Sequence, residues 1–396
     1  MITLRNYGKK IIDKVNLLKD LSTVGFANLV GNAISSIFWL ILASLMDAEQ
    51  YGEINYFIAI ASVASAISFL GAGNALMVFS AKEKKIESPI LIVTTIASII
   101  ASLIVFTIFS NVAISLYIIG YVIFNIVQAE MLGKKHYQSY SKITILQKIF
   151  LVSLALPIYY VMDSYGIILG LALSFFPFSI FVILKIKKNG IDFSVLKSRF
   201  GFLMNSYGVD ITKSLGGNID KLIIAPLLGF ALLGNYHLGI QFLMLLSILP
   251  SIVLQYTLPH DATGNTNPKL KKFTVIVSSI FALLGFLISP ILIPHFFPQY
   301  EESVIIIQII SIAIIPRSIS YIFISKFLGI EKSKFVMMGI IVYLSIQIPG
   351  ILIFENLYGI YGIAAALVFA ETSQAIFFLL INRIKNNNQS KLTSKF

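Results

Sequence analysis

Four charged side chains fall within one segment of membrane-spanning length. The stretch YGVDITKSLGGNIDKLIIAPLLG runs from Tyr207 to Gly229 and carries Asp210, Lys213, Asp220 and Lys221. On a helix turning about 100° per residue, with Asp210 at zero, Lys213 lies near −60°, Ser214 near +40°, Gly217 near −20° and Asn218 near +80°. Asp220 falls at about −80° and Lys221 at about +20° by the same period. Ile211, Leu215, Ile219, Leu222 and Ile223 take the opposite side. A charge facing lipid costs several kcal/mol, so this polar face must look into a bundle or a wet cavity. Two readings follow. The acids and lysines neutralise one another and lock the bundle, as Asp210 and Lys213 can at i, i+3. Alternatively, they line a hydrated cavity that handles a charged or sugar-bearing cargo.

Other polar groups fall inside apolar stretches. Asn28, Asn32 and Ser35 share one helix face with Gly25 and Gly31. Amides both donate and accept, which suits hydroxyl-rich ligands, whereas the two glycines suit helix packing. Arg317, directly after Pro316, and Glu371 are positioned either to pair or to face the cavity. Lys148 is close enough to a helix end to snorkel to the interface. Glu130 is close to a helix end and reads as structural, and Asn55, His237 and Gln241 are weaker lining candidates. Trp39, the single tryptophan, reads as an interfacial belt residue. No cysteine is present, which excludes disulfides, thiolate metal sites and cysteine nucleophiles. His136, His237, His260 and His295 have no ligand spacing, and no carboxylate cluster offers a metal site. No cofactor is expected, although H+ or Na+ coupling fits the acids.

The elements that must hold these groups are transmembrane helices. Only 12% of the 396 residues are charged, 57% are hydrophobic, and the mean hydropathy is +0.88. A soluble domain carries about 25% charged residues, so the chain is read as a polytopic all-α membrane protein. Twelve spans are predicted near 22–46, 54–79, 89–110, 113–132, 143–161, 165–184, 202–228, 234–258, 273–293, 303–325, 335–354 and 360–382. With the N-terminus in the cytoplasm, every Lys and Arg outside the spans falls in a cytoplasmic segment. The loops assigned outside carry Asp47, Glu49, Asp163, Glu301, Glu302 and Glu355 instead. This is the positive-inside pattern, with both termini cytoplasmic in the inner or plasma membrane. It also explains the net charge of +12 without nucleic acid, because the basic residues are dispersed over many short loops.

The two halves are related. LGKKHY at 132–137 matches LGIEKS at 328–333, and SYGIILGLALSFF at 164–176 matches IYGIAAALVFAET at 360–372, both at one shared offset with no gap between the pairs. YGEINYFIAIAS at 51–62 resembles LGNYHLGIQFLM at 233–244 at a slightly smaller offset, and GNAI at 31–34 echoes GNID at 217–220. Six spans per half make a parallel repeat, two six-helix bundles around a central cavity. The expected organisation is a basic leader at 1–21, which could form an interfacial helix, a bundle at 22–184, a cytoplasmic linker at 185–201, a bundle at 202–382 and a tail at 383–396. The first span of each bundle then supplies one cavity wall, neutral in the N-terminal half and charged in the C-terminal half.

Several of these stretches together resemble a known group. YGEINYFIAIAS, LGKKHYQSY, NIDKLIIAPLLGFALLGNYHLGIQF, FLGIEKSK and YGIYGIAAALVFAE occur in an order similar to that of the polysaccharide-exporter branch of the multidrug/oligosaccharidyl-lipid/polysaccharide exporter superfamily, the Wzx-type flippases. The resemblance covers essentially the whole chain. It implies movement of a polyprenyl-(di)phosphate-linked oligosaccharide between leaflets, for O-antigen, lipopolysaccharide or other surface glycan, alongside membrane lipid and glycan polymerase or export machinery. Asp220 and Lys221 match that family's acidic–basic pair in span seven. The basic residues that the family often carries in its first span are absent here. Under this reading Lys213, Lys221 and Arg317 contact the anion, with Asn218, Asn28 and Asn32 as further lining. Asp210 and Asp220 couple an ion or orient the lysines, and Glu371 couples or pairs. The alternative is a cation-coupled exporter of drugs or other small molecules. A remote alternative is a membrane glycosyltransferase or polymerase, disfavoured by short external loops and by the lack of paired catalytic carboxylates or a nucleotide motif.

Overall fold

The structure is a computed structural model that describes residues 2–80, 87–181, 196, 199–262, 266–330 and 332–393. Apart from one short 3-10 turn at Phe176–Phe178, the regular elements among them are α-helices: α1 (Ile2–Leu45), α2 (Ala48–Phe69), α3 (Ala72–Ser80), α4 (Glu87–Phe109), α5 (Val112–Gly133), α6 (Tyr137–Leu173), α7 (Phe200–Leu228), α8 (Phe230–Leu246), α9 (Ile248–Ala262), α10 (Pro268–Phe296), α11 (Ser303–Ile312), α12 (Ile314–Gly329) and α13 (Ser333–Thr393). A helix satisfies its own backbone polar groups, the condition for crossing lipid. Large apolar side chains point outward along α10 at Phe273, Ile276, Ile280, Leu283, Leu287 and Ile291. That helical stripe is exposed in the chain and suits contact with acyl chains.

The helices sum to twelve spans. α6 and α13 each hold two spans across one sharp break, at Met162–Asp163 and at Gly359. The pairs α2–α3, α8–α9 and α11–α12 each make one span interrupted near Gly71, Ser247 and Ala313. α8 and the first part of α9 meet at a 46° bend. The α2 span begins at Ala48, earlier than the boundary of 54 read from hydropathy, because Asp47 caps it through Gln50 N–H at 2.8 Å. Pro316 follows the α11–α12 break, where its missing N–H removes one helical bond.

The internal repeat is visible in backbone geometry. Asp163 has φ 50° and ψ −142°, and Gly359, its mate at the same repeat offset, has φ 57° and ψ −139°. The turn that suits glycine in the second copy is imposed on an aspartate in the first. After each turn, two helices touch backbone to backbone. A Cβ on Gly166 would lie 2.5 Å from the Ile158 carbonyl oxygen, and one on Gly362 would collide with the Phe354 carbonyl oxygen. Ile158 and Phe354 are themselves repeat mates at that offset. Only glycine permits this approach.

The described residues form two compact units. The first comprises residues 1–35 and 57–214, and the second comprises residues 36–56 and 215–396. The end of α1, the start of α2 and the second half of α7 therefore belong with the second unit. That unit has a continuous apolar core that includes Ile224, Leu233, Ile240, Ile306, Ile314, Ile363 and Leu367. Each unit also ties helix ends with a charge cluster. Lys134 bridges Glu130 and Glu87, at 3.1 Å for the latter, and Lys271 bridges Asp261, which also accepts from Ser325 Oγ at 2.7 Å.

Candidate functional site

The second unit holds a buried polar cluster built from α7, α8, α12 and α13. On α7, Lys221 Nζ donates to the Gly217 carbonyl at 2.8 Å and meets Asp220 Oδ1 at 3.2 Å. Asp220 Oδ2 accepts from the Tyr236 hydroxyl of α8 at 3.2 Å. Arg317 of α12 donates from Nε and Nη2 to Glu371 Oε1 of α13, at 2.8 and 2.6 Å. Asp220, Lys221 and Glu371 are all buried. Tyr343 of α13 lies within electrostatic reach of Glu371, Asp220 and Arg317, and Tyr321 of α12 within reach of Arg317 and Glu371. The two ion pairs are thus parts of one cluster. Each carboxylate has a cation, so the cluster is formally neutral. Gln347, one turn beyond Tyr343, is buried with its amide beside the Tyr343 hydroxyl.

Asp210, Lys213 and Lys148 lie in the first unit. Asp210 is partly buried with Oδ2 lacking a hydrogen-bond partner, and Lys213 is within its electrostatic reach but exposed. Lys148 of α6 lies over α1, where a Cβ on Gly31 would sit 3.6 Å from its Cγ. Asn28 Oδ1 accepts from the Tyr140 hydroxyl at 3.0 Å, so it ties α1 to α6. Asn32 is exposed, Asn218 is partly buried, and Ser35 Oγ is buried without a partner.

The charged first span of the C-terminal half, α7, contributes to both units. α7 passes from one unit to the other at Ser214–Leu215, which carries Asp210 and Lys213 into the first unit. Arg317 and Glu371, far apart in the chain, join directly. Lys148 sits against the glycine face of α1, a place that its position in the hydropathy profile does not reveal. Tyr236, Tyr321, Tyr343 and Gln347 were not singled out from sequence. Gln347 carried a signal, because it is a lone amide in the apolar run YLSIQIPGIL.

Asn55, His237, Gln241 and Trp39 are engaged elsewhere in the second unit. Asn55 Nδ2 donates to the Tyr51 carbonyl at 2.8 Å, and Gln241 Nε2 lies 3.1 Å from His237 Nε2. Trp39 packs edge-on against Tyr51 and His237. Among the described residues, no group of three or more His, Cys, Asp or Glu could hold a metal ion.

No protein-family model matches the chain, and no curated protein sequence matches it. Solved structures do. A multidrug resistance MATE family transporter of the MOP superfamily, in an inward-facing conformation, superposes with a TM-score of 0.70 at 14% identity, covering 93% of this chain and 96% of that one. The chain has the MATE transporter fold. A mutant of the Vibrio cholerae MATE transporter VcmN matches with a TM-score of 0.62 at 12% identity, over 94% and 98% of the two chains. A MOP superfamily transporter from Pyrococcus furiosus Vc1, described as having a binding pocket of reverse polarity that suggests a different function, matches at 0.58 and 14%, over 93% and 95%. The MATE fold is a twelve-helix membrane architecture, and it accounts for the span count here. At these identities the likeness speaks to fold.

Proposed function

We propose that the protein is a cation-coupled exporter of small amphipathic organic molecules, working by alternating access between two states. One observation carries this reading. Lys221 and Arg317, two of the three cations expected to hold a diphosphate, are committed to buried carboxylates, whereas Asp210 has a carboxylate oxygen without a partner. A formally neutral, hydrogen-bonding cluster suits an amphipathic organic solute, an organic cation included. An unpaired membrane carboxylate suits H+ or Na+. The multidrug transporters among the structural neighbours support the same class.

A flippase for lipid-linked oligosaccharide is the second reading. It is supported by the order of the sequence motifs and by two cations outside ion pairs, Lys148 and Lys213. The test is expression in cells stripped of their own exporters, with two readouts. Reduced ethidium accumulation that depends on Asp210 supports export. Restored surface glycan in a flippase-deficient strain, with unchanged ethidium accumulation, would replace it with the second reading.

A further inference from the structure

The first unit holds an apolar cavity of about 430 Å³ near the helix ends that the charge bias assigns to the cytoplasm. Three elements wall it: Leu70 and Ala72 at the α2–α3 break, Val93 and Thr94 of α4, and Phe200 and Leu203 of α7. The break sets the crossing of these helices. Leu70 and Gly71 have φ 52° and 72°. A Cβ on Gly71 would collide with the Leu203 carbonyl oxygen and lie 2.6 Å from Tyr207 N, so glycine lets the α7 backbone rest on the break. The cavity lies beside that contact, between α7 and α4.

Its lining makes no polar demand. Among the described lining residues Thr94 alone is polar, and its hydroxyl donates to the Ile90 carbonyl at 2.8 Å. The cavity is partly open, and Phe200 at its rim is exposed. Its volume falls within the range of ligand sites, roughly 300–1,000 Å³. Such a slot suits hydrocarbon.

A cation stands at the surface end of the same helices. Arg199 immediately precedes α7, where its carbonyl accepts from Leu203 N–H at 3.1 Å. Its guanidinium carbon lies 5.3 Å from the centre of the Phe79 ring, and Phe79 packs edge-on against Phe202 at 5.4 Å. A guanidinium stacked on a ring still presents its N–H edge. Among the described residues Arg199 has no carboxylate partner. Glu87, at the start of α4, is held instead by Lys134 at 3.1 Å and Ser80 Oγ at 3.3 Å. Ala72 lies about 10 Å along α3 from Phe79. The arrangement is a cation at the surface and a dry slot beneath it.

We propose that this cavity binds an anionic phospholipid of the cytoplasmic leaflet, with an acyl chain in the slot and the phosphate on Arg199. Guanidinium donors match phosphate oxygens in pairs. A tail in the slot restores the contacts that an unfilled apolar wall forfeits. Lipid tails are as apolar as that wall, so selectivity among lipids comes from the phosphate contact. The site takes a lipid that stays in its leaflet, and it stands independently of what the protein exports.

The single tryptophan, Trp39, belongs to the second unit, so a second position can report on the cavity. The full chain carrying Trp39→Phe and Phe200→Trp is placed in lipid–detergent micelles, and its fluorescence is quenched with phospholipids bearing brominated acyl chains. Brominated phosphatidylglycerol should quench at about fivefold lower mole fraction than brominated phosphatidylcholine, the scale of one basic residue at an anionic surface. Arg199→Gln should remove that preference, whereas Lys142→Gln, at an exposed lysine elsewhere on the same side, should keep it. Val93→Phe fills the slot and should weaken quenching by both lipids. Excess inorganic phosphate should leave quenching by phosphatidylglycerol unchanged. Size-exclusion chromatography confirms that each variant is monodisperse, and Arg199→Gln decides the matter even if Val93→Phe does not fold. The site is overturned by equal quenching from the two lipids, by a preference that survives Arg199→Gln or disappears in Lys142→Gln, by undiminished quenching in folded Val93→Phe, or by release of the lipid with phosphate alone.

Discussion

The Arg317–Glu371 pair can be broken in a way that separates its structural role from its transport role. Its shorter N–O distance is 2.6 Å, and both side chains are largely buried. At an effective dielectric of about 20 the attraction at that distance is about 6 kcal/mol, set against a desolvation penalty of several kcal/mol per ion. Removing one partner leaves a buried charge without compensation, which costs about 3–5 kcal/mol. Glu371→Leu should therefore lower the thermal midpoint of the detergent-purified protein by many degrees, or abolish recovery of monodisperse protein. The double variant Arg317→Met, Glu371→Leu removes both charges and should recover most of that loss, because apolar replacement of a buried pair is close to neutral. Thermal unfolding followed by size-exclusion chromatography reads both variants. The double variant should still fail to transport, since the pair belongs to the cluster assigned to the cargo. An unchanged midpoint in Glu371→Leu would refute the energetic argument, and parent-level transport in the double variant would refute the cluster's assignment.

Three further predictions follow from single positions. Asp163 adopts a backbone conformation that suits glycine, so Asp163→Gly should stabilise the protein by about 1 kcal/mol while Gly359→Ala destabilises it by about 1–2 kcal/mol, read as opposite shifts in thermal midpoint. Burial lowers the pKa of Lys134, but Glu130 and Glu87 outweigh it and leave the value raised. A raised lysine contributes stability that is present below its unfolded pKa of about 10.4 and lost as pH climbs through the folded value. The midpoint gap between the parent and Lys134→Met should hold constant from about pH 7 to about 10 and close above that; narrowing before about pH 9 would contradict the assignment. Asp210→Asn should leave the folded yield unchanged and remove the dependence of transport on an imposed cation gradient; a variant that still responds to the gradient would clear Asp210 of that role.

Much of the fold was readable in the chain because membrane helices announce themselves through length, apolarity and the placement of Lys and Arg. The span count came from those signals and the repeat from stretches matched at one offset, and the closely matched dihedral angles at Asp163 and Gly359 give the repeat a backbone meaning. The site was only partly readable. Helical periodicity put Asp210, Lys213, Asp220 and Lys221 on one face, but it treats a helix as one object. α7 serves two packing units, and its charges divide at Ser214–Leu215. Partners far apart in the chain are also invisible to periodicity. The sequence left Arg317 and Glu371 either to pair or to face the cavity, and the contact across 54 residues needed three dimensions.

The most direct test of coupled export uses purified protein in sealed liposomes loaded with ethidium, with an inward gradient of H+ or of Na+ imposed across the membrane. The account predicts gradient-driven release of ethidium at a rate well above that of empty liposomes, absent in Asp210→Asn and in the Arg317→Met, Glu371→Leu double variant. Release no faster than from empty liposomes under either gradient, from protein that instead moves a polyprenyl-diphosphate-linked sugar between leaflets, would contradict it.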